Sequence, residues 1–256
     1  MMDPNLILFL ILAICMFGGF ISLFIFLGKR AEKQEIDLFK KLSQKLGFSY
    51  CESDTINLEN KIAPLGSDFA KSPVNPLKQM VYGIEGENSI YLFNRDAPPV
   101  GSAKHGVSPS WSVCLIEVGQ SFGFEAVIFH RGFSAGFSKL KEYKMALEKL
   151  REVEVDKPEF AKPQPNRFGI TLIGDKYILK TDDLTKCQKA VERGMIDIFL
   201  KHRQNFKVMG INMMMAVHIK DNLLAVYTDH PSVSLSKVEQ FEHLYLFAKE
   251  IKEILT

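Results

Sequence analysis

The feature that most constrains this chain is an uncharged run from Leu6 to Gly28, which Lys29 and Arg30 end abruptly. At about 1.5 Å of rise per residue, a helix of this length covers the roughly 30 Å hydrocarbon layer of a bilayer. A helix also satisfies its own backbone hydrogen bonds where no water is present. The run therefore predicts a single transmembrane anchor over residues 1–28.

Two kinds of processed leader compete with a permanent anchor. A secretory signal begins with basic residues, whereas this chain begins Met-Met-Asp-Pro-Asn, and its apolar run is longer than the apolar region of such a signal. The stretch before Cys15 approximates the box of a lipoprotein signal, but Ile14 stands where a small residue is required and apolar sequence continues after Cys15. We therefore expect the anchor to be retained.

The charges beside the run predict its orientation. Lys29, Arg30 and Lys33 follow it and nothing basic precedes it, and positively charged flanks remain on the cytoplasmic side. We expect a single-pass protein of the cell membrane with its N-terminus outside and residues 48–256 in the cytoplasm. The scattered cysteines are typical of reduced thiols rather than a disulfide framework; after the run they are Cys51, Cys114 and Cys187.

Two features of the anchor region have more than one interpretation. Gly18 and Ser22 form a small-xxx-small pair, which favours close approach of two helices and hence a homo-oligomer, although plain anchoring also explains them. Lys29, Arg30 and Lys33 form a basic group next to the bilayer. They either attract anionic lipid or serve only as the topology signal on a solvated helix face.

The residues after the anchor predict an amphipathic helix and then a globular domain. Ile36, Phe39, Leu42 and Leu46 recur at helical spacing and Gly47 follows as a stop, so residues 29–47 are expected to form a juxtamembrane helix. The chain is 46% hydrophobic and 24% charged with a net charge of +2. These values are ordinary for a globular protein and give no reason to expect a nucleic-acid partner.

The first part of the domain has the pattern of antiparallel strands. Apolar runs on both sides of the turn Glu85-Gly86-Glu87-Asn88 predict a hairpin. Two further strands, Trp111–Val118 and Phe124–His130, complete a predicted four-stranded meander. The Pro/Gly/Ser-rich loop Ala97–Ser110 interrupts it, and loops of that length often carry function.

The second part alternates strands with single helices. This pattern predicts an α+β fold, an antiparallel sheet or sheets with packed helices behind the single N-terminal transmembrane helix. The proline-rich segment 157–166 is a candidate boundary inside the domain 48–256. The predicted elements are helices with apolar stripes at 138–150, Leu184–Lys201 and Ser236–Leu255, the last with a Ser236 and Glu239 capping box, and strands near Lys176–Lys180, Met213–His218 and Leu223–Tyr227.

Several of these segments resemble a family of prokaryotic proteins of unknown function, built as an N-terminal span followed by a soluble α+β domain. The matching residues include Leu46-Gly47-Phe48, the hairpin from Met80 to Phe93, and the segment Val155–Phe160. The resemblance covers most of the soluble part and implies the same architecture. It supplies no catalytic residues, and the chain departs from it at Asn94-Arg95-Asp96, where a longer loop follows.

The one catalytic pattern is Gly132-Phe133-Ser134-Ala135-Gly136, the G-x-S-x-G of a nucleophile elbow. Asp229 and His243 follow in the order that such hydrolases use. Against a serine hydrolase, the elbow belongs on a mostly parallel sheet, no HGGG-like oxyanion loop is present, and short motifs of this kind recur by chance.

Other chemistry has little support in the sequence. The histidines include no HxxH or HExxH pair, and neither G-x-G-x-x-G nor a P-loop occurs, so no metal or cofactor is expected. We therefore expect a membrane protein whose cytoplasmic domain binds another protein or the membrane surface, with the bilayer as its first partner. The alternatives are a serine hydrolase using Ser134 and a small-ligand sensor with a pocket beneath Ala97–Ser110.

Overall fold

The computed structural model describes residues 4–65, 77–96, 110–130, 149–160, 177–208, 211–212, 214–230 and 235–256. Its helices are α1 (Pro4–Leu46), α2 (Leu58–Ile62), α3 (Leu184–Glu192), α4 (Met195–Arg203) and α5 (Val238–Leu255). Its strands are β1 (Ser49–Ser53), β2 (Lys78–Glu85), β3 (Asn88–Asp96), β4 (Ser110–Glu117), β5 (Ala126–His130), β6 (Arg151–Val153), β7 (Tyr177–Thr181), β8 (Lys207–Val208), β9 (Ile211–Asn212), β10 (Met214–Lys220) and β11 (Leu223–His230).

Nine of these strands form one antiparallel sheet in the order β1-β2-β3-β4-β11-β10-β5-β7-β6, while β8 and β9 pair separately. The β2–β3 hairpin has the predicted turn, since Glu85 pairs with Asn88 and Gly86 has a φ of 60°. Such a left-handed conformation favours glycine. The α+β class with an antiparallel sheet is confirmed.

The predicted four-stranded meander is wrong at its last step. β4 and β5 are not neighbours, because the β10–β11 hairpin lies between them. The connection from β4 to β5 crosses the tip of that hairpin, where Val118 N donates to Asn222 O and Phe122 N donates to Asp221 O. The apolar pattern is compatible with a local β4–β5 hairpin and with long-range pairing of these strands to β11 and β10. The structure has the long-range pairing.

The segment proposed as an internal boundary, 157–166, stands in the chain between two strands of the same sheet. β6 precedes 157–166 and β7 follows it, yet they pair with Val153 opposite Leu179. β7 pairs in turn with β5, where Ile128 is opposite Leu179. The sheet therefore does not divide at 157–166.

The helix predicted over Leu184–Lys201 is two helices. Asp183 caps α3 as expected, its side chain accepting a hydrogen bond from Lys186 N. Gly194 then has a φ of 99°, which ends right-handed helical geometry, and α4 begins at Met195. Arg193 and Gly194 thus separate α3 from α4, and both helices bury residues in the core of the helix face.

Both faces of the sheet are covered by apolar packing. One face, which we call the helix face, packs against the C-terminal half of α1 and against α3, α4 and α5, with Val81, Cys114 and Val226 among its strand residues. The opposite face packs against α2 and includes Tyr91, Val113 and Val127. Strands buried on both sides explain the nearly continuous apolar runs in β4, β10 and β11.

The predicted anchor and the predicted juxtamembrane helix are one helix, α1, over 43 residues. Much of the anchor falls on residues 4–21 and Phe24, whose side chains lie outside the described part. In that described part, no helix meets the length and hydropathy of a membrane span. The C-terminal half behaves as expected, with Phe39 and Leu42 buried.

Candidate binding groove

The residues of the hydrolase alternative are only partly described. Ser134 lies outside the described residues. Asp229 belongs to β11, opposite Trp111 and Met214. His243 is exposed on α5, on the side away from the sheet, and the buried face of α5 separates it from the strands. The hydrolase alternative stays a prediction.

The basic group beside the predicted anchor is exposed. Lys29, Arg30 and Lys33 all lie on the surface of α1. At about 100° per residue, Lys29 and Lys33 project from the side of the helix opposite the buried Leu38. Arg30 lies about 80° from Leu38 by the same spacing, so the group spreads around the helix. All three side chains are exposed, as both interpretations require. Of the small-residue pair, Ser22 is exposed, and the surroundings of Gly18 lie outside the described part.

Among the described residues, no three His, Cys, Asp or Glu side chains group as metal ligands. Two buried histidines do meet a carboxylate: His202 Nε2 lies 3.1 Å from Glu250 Oε1, and His218 lies beside Glu125. His218 is 2% exposed, and its Nε2 lies 3.2 Å from Glu125 Oε1, while Lys220 Nζ lies 3.0 Å from Glu125 Oε2. Desolvation alone would raise the pKa of Glu125, but the bonds from His218 and Lys220 lower it. The Glu125 carboxylate therefore stays charged between these two side chains, and it connects the segment before β5 to β10.

Two of the segments that carry the family resemblance, Leu46–Phe48 and the hairpin from Met80 to Phe93, meet where α1 ends. Gly47 has a φ of 69°, and Phe48 N donates to Ser43 O at 2.9 Å, the bond of a Schellman C-cap. The Phe48 ring then lies over Gly83 of β2, so that a Cβ at Gly83 would overlap it. These motif residues have a packing role.

A polar cluster closes the same junction. Glu85 accepts hydrogen bonds from Tyr245 and, at 3.0 Å, from Lys249 Nζ. Burial raises the pKa of Tyr245, and the bond to Glu85 raises it further. The cluster joins β2 to α5 and holds the end of α1 between them.

An open groove with a volume of about 890 Å³ lies between α1 and the beginning of α5. We call it the α1–α5 groove. Apolar side chains Leu38, Leu235 and Val238 form part of its lining, and Asn94 at the end of β3 closes one side. Its other lining residues are Ala31, Glu32, Gln34, Glu35, Asp37, Lys41, Ser236, Lys237 and Glu239.

A chain of hydrogen bonds holds the two walls of the groove at a set distance. Asn94 Nδ2 donates to Glu35 Oε1 of α1 at 2.8 Å, and Ser112 Oγ donates to Asn94 Oδ1 at 2.6 Å. Leu235 N then donates to Ser112 Oγ at 2.8 Å. Ser112 is fully buried, so losing its bonds would leave polar groups without partners. These hydrogen bonds therefore fix α1 and the segment before α5 to the same two strands, β3 and β4.

The beginning of α5 differs from the predicted capping box. The N-cap is Lys237, with no side-chain cap, and Gln240 Oε1 accepts a hydrogen bond from Ser236 N. Glu239 is consequently not used as a cap and remains exposed at the groove. The predicted helix began two residues early.

The groove carries more negative than positive charge. Its lining includes the carboxylates Glu32, Glu35, Asp37 and Glu239 but only the ammonium groups of Lys41 and Lys237. Within the described ranges, Glu32, Asp37 and Glu239 form no ion pair with another side chain. The groove thus presents carboxylates to solvent above an apolar floor.

Sequence reasoning missed this site. In the sequence, Asn94 stands out only as a departure from the family pattern, and Ser112 lies within an apolar strand. Ser112 was nevertheless a usable signal, because a hydroxyl at an inward position of a doubly buried strand needs a partner. The partner itself, Leu235, is 123 residues away.

No family model and no curated protein matches the chain. Its fold is similar to that in the crystal structure of the mycobacterial trehalose monomycolate transport factor A, TtfA, with a TM-score of 0.50. The match covers 86% of this chain and 94% of that chain at 11% sequence identity. A likeness at this identity shows a shared fold alone.

Proposed function

We propose that this chain is a single-span membrane protein whose cytoplasmic α+β domain is a binding module at the membrane surface. The helix α1 serves as both the anchor and a wall of the binding groove. Lys29, Arg30 and Lys33 keep the domain on the cytoplasmic side.

The observation that carries this proposal is the exposure of apolar side chains on α1 just before its basic group. Leu23, Ile25, Phe26 and Leu27 are 51%, 55%, 61% and 48% exposed. Four such residues within five positions surround the helix rather than forming one stripe, which is typical of a helix that has an apolar environment on all sides. A bilayer provides that environment, and Lys29 and Arg30 mark its edge.

The α1–α5 groove supports binding rather than catalysis. It is open, its floor is apolar, and its charged residues are exposed carboxylates and ammonium groups. Ser236 provides the hydroxyl of its described lining, and among the described residues that hydroxyl forms no hydrogen bond to a base, as the nucleophile of a covalent mechanism would. A surface of this composition suits a macromolecular partner.

A small-ligand sensor is the second candidate, favoured by the groove volume. About 890 Å³ falls in the range of small-molecule sites, and Asn94 precedes the Ala97–Ser110 segment by three residues. Small-molecule sites are, however, mostly apolar and enclosed. The charged, open lining fits a partner protein better. The similarity to the transport factor TtfA shows a shared fold alone and favours neither candidate.

Two measurements test the anchor and its direction. A reporter that is active only in the cytoplasm, fused to the C-terminus, is expected to be active, and the protein is expected to stay in membranes after alkaline carbonate extraction. The matched control replaces Lys29, Arg30 and Lys33 with Gln and adds three Lys before Leu6, which should reduce cytoplasmic reporter activity. Reporter activity only outside the cell, or release by carbonate, would contradict the proposal.

A further inference from the structure

We propose that the α1–α5 groove binds the Lys/Arg-rich juxtamembrane segment of another membrane protein. This inference rests on the proposed function, because it needs the domain to be anchored on the cytoplasmic side. It adds the chemistry of the partner and the residues that recognise it.

The first argument is charge. Four carboxylates and two ammonium groups line the groove, and the carboxylates of Glu32 and Asp37 have no ion-pair partner among the described side chains. The bond from Asn94 holds a third carboxylate, that of Glu35, toward the same groove. A cationic segment complements this arrangement, whereas an anionic lipid headgroup would be repelled.

The second argument is position along α1. Glu32 lies about 6 Å and Asp37 about 14 Å along the helix axis from Gly28, at 1.5 Å per residue. If Leu6–Gly28 spans the bilayer, the α1 wall of the groove, from Ala31 to Lys41, lies about 5 to 20 Å from the membrane surface. Lys and Arg are enriched on the cytoplasmic side within the first residues after a span. The groove therefore lies where the basic flank of a neighbouring span is found.

The third argument is the shape of the surface. The apolar floor formed by Leu38, Leu235 and Val238 accommodates the aliphatic stems of Lys and Arg, whose charged ends then reach the carboxylates at the rim. The chain's own Lys33 and Arg30 lie about one and two turns before Asp37 on the exposed surface of α1. Within the described residues neither forms an ion pair with Glu32, Asp37 or Glu239, so these carboxylates stay open to a partner. A second copy of this chain is the competing occupant.

The test uses the full-length protein, labelled at its C-terminus, in nanodiscs of phosphatidylcholine. The probe is a labelled synthetic peptide with a Leu-rich span and a tail of alternating Lys, Arg and Ser; its partner control has the same span and a tail of Ser alone. We expect energy transfer to show about tenfold stronger association of the basic tail, as three weak ion pairs would give. Raising the salt concentration should weaken it.

The matched variants remove equal charge at two places. Glu32→Gln, Asp37→Asn and Glu239→Gln together should bring the two tails within about twofold of each other. Glu52→Gln, Glu87→Gln and Glu192→Gln change exposed carboxylates outside the groove lining and should keep the tenfold difference. Equal association of both tails, or an equal loss in both variants, would overturn the inference.

Two further outcomes separate this inference from its premise. If the protein enters nanodiscs but does not bind the basic tail, the proposed partner is contradicted and the proposed anchor is not. If the protein does not enter nanodiscs, the anchor and the partner are both contradicted. Association between two copies of this chain that needs Glu32, Asp37 and Glu239, and that the basic-tail peptide does not displace, assigns the groove to a homodimer and overturns the proposal.

Discussion

The two halves of α1 contain the same kinds of side chain in opposite surroundings. Phe26 is 61% exposed, whereas Phe39 is fully buried and its ring centre lies 5.2 Å from that of Phe241. The helix is continuous between them, so helix propensity does not distinguish the halves. The difference is that the sheet and α5 cover the second half, while the described residues of the first half face no protein. Exposed apolar side chains of that kind mark a surface that contacts something other than the domain, such as another protein or a membrane.

The largest expected effect is on partition between membrane and water. Deleting residues 1–28 should move all of the protein from the membrane to the soluble fraction, measured by sedimentation after lysis. The free energy of unfolding should change by less than about 0.5 kcal/mol, because residues 25–28 are exposed. A truncated chain that still sediments with membranes would assign the attachment to the domain instead.

The next effect is on the free energy of unfolding, compared between two variants that each replace one phenylalanine of α1. Phe39→Ala should cost about 3–5 kcal/mol, since it leaves a cavity against Phe241. Phe26→Ala should change the free energy of unfolding by less than about 0.5 kcal/mol. Denaturant unfolding in detergent measures both. Similar losses for the two variants would mean that the first half of α1 packs against the domain.

A smaller effect is expected where α1 passes into β1. Gly83→Ala should cost about 1–3 kcal/mol because the new methyl group overlaps the Phe48 ring. Gly28→Ala meets nothing within 4 Å and should leave thermal unfolding of the domain unchanged. Rescue of Gly83→Ala by Phe48→Leu would identify the ring as the cause.

The smallest effect is a pH dependence at the same junction. Desolvation works to raise the pKa of Glu85, but the hydrogen bonds from Tyr245 and Lys249 prevail and lower it. A lowered pKa in the folded state means stability that is present above about pH 4.5 and is lost as the pH falls through the folded pKa.

Glu85→Gln should therefore flatten the loss of stability between about pH 5 and pH 3, by an amount within about 1 kcal/mol. Denaturant midpoints at several pH values measure it. Glu87→Gln is the matched control, because Glu87 is exposed in the same turn. An unchanged slope in Glu85→Gln would show that Glu85 titrates alike in the folded and unfolded chain.

Local elements could be predicted from the sequence. The β2–β3 turn, the Asp183 cap and the end of α1 at Gly47 each depend on a few neighbouring residues with special backbone or hydrogen-bonding properties. The order of strands could not be predicted in the same way. Phe124–His130 reads as the partner of Trp111–Val118, but β5 pairs instead with β10, whose residues follow some ninety positions later.

The candidate site depended almost wholly on such long-range contacts. Glu35, Asn94, Ser112 and Leu235 come from four separate segments, and none belongs to a recognisable motif. Conversely, the pattern at Ser134 was visible in the sequence, and its structural setting lies outside the described residues.

By itself, the sequence determined the fold class, the strand and helix types, and the expectation of an anchored chain, because periodicity and local charge are properties of neighbouring residues. Only the tertiary structure decided which strands pair, that the sheet continues past 157–166, and that α1 and α5 enclose an acidic groove. Those outcomes depend on burial between residues far apart in the chain. Each such contact contributes little free energy, and the contributing residues come from many separate segments. The strand order and the groove therefore cannot be predicted from any one segment.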